Sequence, residues 1–247
     1  MEMIIQSSNL NTAMILAAGF GTRLKPLTDH TPKALLKINN KTLLEIVIEK
    51  LIKGGITRIV VNAHHFSNQV AEFLSKKKFG VNIEVCIEEK ILGTGGAIKN
   101  AEKYLNNSGY FLVYNVDVIS EINLAEMEKF HIENNPLATL AIQKRDTSRP
   151  LIFDSENKLI GRKNNSESLQ YRTPGISTYL AGFCGVHIIS SDIFKLIEEE
   201  GFFDIFKLYF RLVSGGRIIM GYDIKDSYWI DIGTKNNFEN YSRENTL

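Results

Sequence analysis

The apolar positions of the chain follow two successive patterns. Up to about residue 136, short apolar runs alternate with stretches whose apolar residues recur every three or four positions. Residues 13–16 (AMIL), 57–62 around Ile59-Val60-Val61, 81–87 and 110–114 read as buried strands. Between the first two, Leu44, Ile48, Leu51 and Ile52 mark a helix, opened by a Thr42-Leu43-Leu44-Glu45 capping box and closed by Gly54-Gly55. Residues 67–78 form a second helix with Val70, Phe73 and Leu74 on one face, residues 93–105 a loop entering a third, and Asn39-Asn40-Lys41 a turn. This β-α-β-α-β order predicts an α/β fold, a Rossmann-like and mainly parallel sheet with helices on both faces. Ligands of such sheets sit beyond the carboxyl ends of the strands. Gly19, Glu88 and Asp117 all fall just past expected strand ends.

From about residue 137 the pattern changes. A strand at 137–143, a hairpin from 151–153 and 158–160, and a strand at 179–189 are expected, with the polar stretch 164–178 as a loop over the site. Helices at 191–199 and 203–213, strands at 217–222 and 228–232, and a closing helix at 234–243 capped by Thr234 complete the chain. These elements read as antiparallel additions to the first sheet. The expected organisation is a loose extension over 1–11 and a single domain over 12–247, its halves meeting near 136 and 137.

Charge changes the picture by exclusion. Lys and Arg number 29 against 28 Asp and Glu, so no bulk field draws the chain to nucleic acid or to a membrane, and neither is expected as a partner. Anion binding must come from local clusters. The two cysteines, Cys86 and Cys184, lie in apolar runs and read as buried free thiols, which suits a reducing cytoplasm. The first nine residues lack the basic region of a signal peptide, and no apolar run approaches the ~20 residues of a membrane helix. Nothing near the C-terminus resembles hexapeptide β-helix repeats.

The densest candidate chemistry is the string from Leu16 to Thr28, LAAGFGTRLKPLT, continuing to Pro32-Lys33. Gly19 and Gly21 permit positive φ and close approach of a ligand to the main chain. Successive N–H groups in such a turn make a concave anion site, Arg23 adds a planar fork of donors and Lys33 a compact charge. The string is not a Walker A loop, since no Gly-Lys-Ser/Thr follows. It departs from the dinucleotide fingerprint too: Leu24 stands where the third glycine should be, and the second strand ends at Asn62-Ala63 without a ribose-binding acid. That disfavours a Rossmann oxidoreductase. Taken alone, Gly-x-Gly is equally an ordinary turn.

Further stations follow. Leu92-Gly93-Thr94-Gly95-Gly96-Ala97 would let a base or ribose lie against backbone, or is simply a flexible loop. Asp117, in Asn115-Val116-Asp117-Val118, stands beyond a strand and reads as a cation ligand or as a turn cap. Asp231 lies in the apolar Tyr228-Trp229-Ile230-Asp231-Ile232-Gly233-Thr234, where a charge is costly unless paired or metal-bound. His64-His65 is expected to be a polar strand end, because adjacent side chains diverge. Trp229 is expected in the core, and residues 76–78 as a solvated helix end.

Together, residues 16–33, 92–97, 115–118 and 229–234 resemble the sugar-1-phosphate nucleotidyltransferases, in the right order and over nearly the whole chain from residue 12. The resemblance is to short members without a left-handed β-helix, such as N-acetylmuramate-1-phosphate uridylyltransferases and mannose-1-phosphate guanylyltransferase-like enzymes. It implies transfer of a nucleotidyl group from an NTP, UTP or GTP, to a sugar-1-phosphate, with Mg2+ as cofactor. The products are an NDP-sugar, destined for cell-envelope polysaccharide, and pyrophosphate. Arg23, Lys33 and Asp117 would be catalytic. Leu16, Ala17, Ala18, Gly19, Gly21, Thr22, Arg23, Glu88, Gly93, Thr94, Gly95 and Asn115 would bind the nucleotide, from residues 12–136. Asp117 and Asp231 would hold the metal, and Arg149, Gly182 and Asp231 the sugar phosphate, these three from residues 137–247. Two departures stand out: Val116 replaces a common glycine, and the family's Glu-Lys-Pro segment is missing. Arg149 is the favoured substitute for its lysine, with Lys144, Arg145, Arg162 and Lys163 as the other candidates. A silent nucleotide-sensing subunit, transfer to a non-sugar phosphate such as phosphocholine, and a homo-oligomer all remain open.

Overall fold

The computed structural model describes residues 10–164, 167–173 and 177–245. The elements are β1 (Thr12–Leu16), β2 (Lys37–Ile38), β3 (Lys41–Thr42), α1 (Leu43–Lys53), β4 (Arg58–Ala63), α2 (Ser67–Lys76) and β5 (Asn82–Ile87). Then come α3 (Gly93–Asn100), α4 (Glu102–Leu105), β6 (Tyr110–Asn115), β7 (Val118–Ser120), α5 (Leu124–Asn134), β8 (Ala138–Gln143), β9 (Leu151–Asp154) and β10 (Leu159–Asn164). The last are β11 (Glu167–Gln170), β12 (Thr178–Ser190), α6 (Ile205–Ser214), β13 (Ile219–Asp223), β14 (Trp229–Asp231) and α7 (Lys235–Glu244).

The sheet is mixed and mainly parallel where the site lies. Its path is β11-β10-β9-β12-β6-β1-β4-β5, with β8 and β13 attached beside β12. Strands β6, β1, β4 and β5 are mutually parallel. Their side chains alternate between two cores. Ala13, Ile15, Ile59, Val61, Leu112 and Tyr114 face one; Met14, Val60, Phe111 and Val113 face the other. Both faces are thus covered, which is why these strands read as continuous apolar runs. The caps are as expected: the Thr42 hydroxyl accepts the Glu45 N–H, and the Thr234 hydroxyl accepts that of Asn237.

β12 runs antiparallel to β6, β8 and β9. Its register shifts between Phe183 and His187, where Gly185 takes φ 73°. β13 departs from the expected antiparallel addition, for it pairs parallel to β8. The expected helix at 191–199 is only a 3-10 turn, Ser191–Leu196. Beyond it, buried Glu199 is held by tertiary partners: its carbonyl accepts Lys99 and its carboxylate accepts the Arg211 fork. The expected loop at 164–178 contains β11, paired with β10; residues 165–166 and 174–176 of that range lie outside the described residues. The end of the expected loose extension belongs to the folded body. Leu10 is buried and its N–H donates to Glu128 Oε1 at 2.7 Å, while the Asn11 carbonyl accepts from Arg58. Lys77, expected to be solvated, pairs with buried Glu45. Among the described residues no helix is long and apolar enough to cross a membrane, and no β-helix follows β14.

Candidate active site

The first loop is shaped by a buried relay. The Ala17 N–H donates to Asn62 Oδ1 at 2.7 Å, Asn62 Nδ2 donates to Glu88 Oε1 at 2.7 Å, and Glu88 Oε2 accepts the Leu92 N–H at 3.0 Å. Glu88, expected to bind the nucleotide, is buried with both oxygens engaged. It braces the two glycine-rich loops against each other. Ala17 and Ala18 are buried, whereas Gly19, Thr22 and Arg23 are exposed. Gly21 takes φ 63°, and a Cβ there would lie 2.8 Å from Thr28 Cγ2 and 3.2 Å from Lys33 Cβ. Glycine is therefore required at Gly21 by conformation and by packing alike. The Thr28 hydroxyl donates to the Gly21 carbonyl at 2.9 Å and fixes the turn.

The carboxylates meet this loop across strand ends. Lys33 Nζ lies 2.7 Å from Asp117 Oδ2. β14 pairs antiparallel with β7, with Asp231 opposite Val118, and the Ile232 N–H donates to the Asp117 carbonyl. Strand β7 gave no sequence signal of its own; it is short, and its pairing with β14 supplies the register that aligns the two acids. Gly233 marks where they converge. A Cβ on it would lie 2.5 Å from Asp117 Oδ2, 2.8 Å from Asp231 Oδ1 and 3.0 Å from Arg23 Nη2. Burial, and then the neighbouring Asp117 charge, raises the Asp231 carboxyl above its ordinary value, against the Gly233 N–H and the charges of Arg23 and Lys33. Among the described residues no cluster of three or more His, Cys, Asp or Glu side chains forms a closed metal cage. Two hard carboxylates beside an anion loop fit Mg2+, which keeps waters and takes substrate phosphates for its remaining positions.

A cavity of about 610 Å³ opens from this point. Leu16, Arg23, Thr94, Asn115, Arg149 and Asp231, all expected site residues, line it. Gly182, expected to face the sugar, is not among the residues lining this cavity; a Cβ on it would lie 2.7 Å from Arg145 Cζ, so the missing side chain makes room for that guanidinium. Arg145 stacks on the Trp229 ring at 4.1 Å, and its Nη2 donates to the Phe183 carbonyl at 2.9 Å. Trp229 packs against the core as expected, is held by its Nε1 on the Cys184 carbonyl at 2.7 Å, and also lines the cavity. Its amphipathic ring is buried on one side and carries a cation on the other. Arg149, the favoured substitute for the family lysine, is exposed at the cavity wall.

The second glycine-rich loop also packs against its own chain. A Cβ on Gly93 would lie 2.6 Å from the Phe203 carbonyl, and one on Gly95 would lie 2.2 Å from the Phe203 ring. The Gly95 N–H donates to the Phe203 carbonyl and the Thr94 hydroxyl accepts the Ile205 N–H at 2.8 Å. These glycines therefore dock α3 against the segment leading into α6. Helix α3 starts at Gly93 itself, where a loop was expected. His64 and His65 follow the end of β4; both rings lie against Phe20, at 5.6 and 5.7 Å, where diverging side chains were expected, and His64 Nδ1 lies at the Glu88 carbonyl. Cys86 and Cys184 are buried and free, and burial pushes the Cys184 thiol up to about 12.

This geometry has known counterparts. The pattern of the nucleotidyl transferase family matches residues 12–152, more than half of the 247-residue chain. The chain belongs to this family. It is 30% identical over 230 residues to a mannose-1-phosphate guanyltransferase of Yarrowia lipolytica, covering 91% of this chain and 61% of the relative. It is 31% identical over 229 residues to that of Schizosaccharomyces pombe, covering 90% and 60%. The chain thus spans about three-fifths of the length of these relatives. Among solved structures, HddC from Yersinia pseudotuberculosis complexed with GMP-PN superposes with TM-score 0.77 at 23% identity, covering 96% of this chain and 100% of that one. The inositol-1-phosphate CTP transferase from T. maritima gives TM-score 0.76 at 19% identity, covering 98% and 99%. These two establish the fold.

Proposed function

We propose that the chain transfers a nucleotidyl group from an NTP to a sugar 1-phosphate, releasing pyrophosphate, with GTP favoured as donor by the guanyltransferase relatives. The observation that carries this reading is the convergence of Asp117, Asp231 and Arg23 around Gly233, with Lys33 on Asp117. A sugar-1-phosphate oxygen is already anionic at neutral pH, so in-line attack on the α-phosphorus needs no general base. The barrier is repulsion between polyanions, and positioned positive charge lowers it. Arg23 and the exposed amides from Gly19 onward receive the triphosphate. Lys33 neutralises Asp117 in the free chain and turns its charge to the reacting phosphates once they arrive. Mg2+ held by Asp117 and Asp231 would supply further charge neutralisation at the phosphates. Buried, unbridged thiols at Cys86 and Cys184 support a cytoplasmic setting.

The test is a pyrophosphate-release screen of four NTPs against a panel of sugar 1-phosphates, with and without Mg2+. Metal-dependent release with GTP and at least one sugar 1-phosphate is expected. Release from no pair would overturn the proposal and leave a nucleotide-sensing role for the same fold.

A further inference from the structure

The cavity has two arginine stations built alike. At the near end, Arg145 lies over Trp229, two residues from Asp231. At the far end, the Arg162 guanidinium lies 5.5 Å from the centre of the Phe210 ring. Each Nε is buried and finds no hydrogen-bond partner among the described residues. Neither arginine forms an ion pair with a carboxylate among the described residues. Arg162 is distal because, with Asp204, Phe206 and Phe210, it also lines an adjoining depression of about 580 Å³ that Trp229 and Asp231 do not reach. The acid beside it, Asp204, caps α6 by accepting the Phe206 N–H at 2.8 Å. Exposed Arg149 adds a third cation to the same cavity wall.

Burying part of a guanidinium without a partner is unfavourable. An aromatic ring beneath it fixes its plane and leaves its donor edge for an anion. One phosphate at the metal end satisfies Arg145 and leaves Arg162 unmatched. Resting on the transfer reading above, we propose that the acceptor is a sugar 1-phosphate carrying a second anionic group, a carboxylate or a further phosphate. Its 1-phosphate lies at Arg145 and its second anion at Arg162, with Arg149 flanking. The two cations specify both the charge and the reach of the acceptor.

The test is calorimetric binding of a configurationally matched series: glucose 1-phosphate, glucuronic acid 1-phosphate and glucose 1,6-bisphosphate. At least one doubly anionic member is expected to bind about tenfold more tightly than glucose 1-phosphate, the worth of one added charge-assisted contact. Which member gains identifies the second anion as carboxylate or phosphate. In Arg162→Gln the ratio should fall to within about twofold, whereas a merely structural Arg162 would leave it unchanged. Equal affinities in the unsubstituted protein, a ratio that persists in Arg162→Gln, or no binding of any member overturns the proposal. Should the variant fail to fold, judged by its melting transition, the unsubstituted series alone decides. Pyrophosphate release from glucose 1-phosphate at full efficiency, with no binding preference, would sink this inference and leave the transfer reading standing. A binding preference with no turnover of any pair would do the reverse.

Discussion

The two ends of the cavity are built by different means. At the phosphate end, Arg23, Lys33 and Asp117 come from loops that directly follow parallel strands, so strand polarity alone delivers them to one edge of the sheet. At the acceptor end, Arg145, Arg149 and Arg162 follow or lie on β8 and β10, and reach the cavity through antiparallel registers and a displaced β12. The first end is a cation and carboxylate cluster that neutralises itself, as the 2.7 Å pair of Lys33 and Asp117 shows. The second is an arginine wall in which Arg145 and Arg162 pair with no carboxylate among the described residues. On the proposed reading, nucleotidyl transfer belongs at the first end and acceptor choice at the second.

The largest expected effect tests the first end. Asp117→Ala or Asp231→Ala should lower kcat by about a thousandfold, the scale of losing a principal stabiliser of transition-state charge. The fold should survive, as melting curves would show, because neither side chain belongs to the apolar clusters. Near-normal turnover in either variant would show that the two carboxylates are not the metal station.

This end was also the more legible in the sequence. A glycine string, a strand-end acid and an acid in an apolar strand each pointed to an anion site, and their order pointed to the family. What the string could not show is which groups face the ligand. Glu88 lies one residue past β5, where a site residue belongs, yet it turns down onto Asn62 and Leu92. Gly93 and Gly95 carry the composition of a ligand loop but are filled by Phe203. In both cases the deciding partner is remote in sequence: Asn62 is 26 residues from Glu88, and Ile205 is 111 residues from Thr94. The acceptor end was less legible still. Arg145 was one basic residue among several until Gly182 and Trp229, on two other strands, enclosed it.

Acid should expose the same asymmetry in stability. The two strongly depressed histidines both involve the second half: His187 lies on β12 against the Tyr209 hydroxyl, and His131 contacts Thr139 on β8. Burial holds them near 3 and 4 respectively, from an ordinary value of 6.5. The unfolded chain therefore takes up protons that the folded chain refuses, so stability is full above about 6.5 and falls as pH drops toward 4. Each histidine should cost about 2 kcal/mol between pH 7.5 and 5, readable by urea denaturation at the two values. His187→Phe should roughly halve that slope. A pH-independent midpoint over this range would contradict neutral burial of either ring.

A finer break between the ends is Gly182→Ala. The atoms nearest the added methyl belong to the Arg145 guanidinium, the far end of a long side chain, so backbone strain is small and stability should change by less than about 1 kcal/mol. The acceptor KM should nevertheless rise about tenfold, with the KM for the nucleotide unchanged, because Arg145 is displaced from its seat on Trp229. Equal shifts in both constants would mean that Arg145 serves the whole site, and the division between the two ends would blur.

The smallest expected effect concerns what joins them. Thr94 lies on α3 in the nucleotide half, yet its hydroxyl accepts the first N–H of α6, the helix whose leading residues Asp204 and Phe206 line the acceptor end. It acts as a cap supplied from another element, beside the local cap of Asp204. Thr94→Val keeps the volume and removes the acceptor, leaving the Ile205 N–H unpaired, at a cost of about 1 kcal/mol in unfolding free energy. If this bond also sets the approach of the two ends, both KM values should rise by a similar small factor. A stability loss with kinetics untouched would assign the registration of α6 to the Phe203 contacts with Gly95, where ring and backbone interlock more closely than one hydroxyl can hold them.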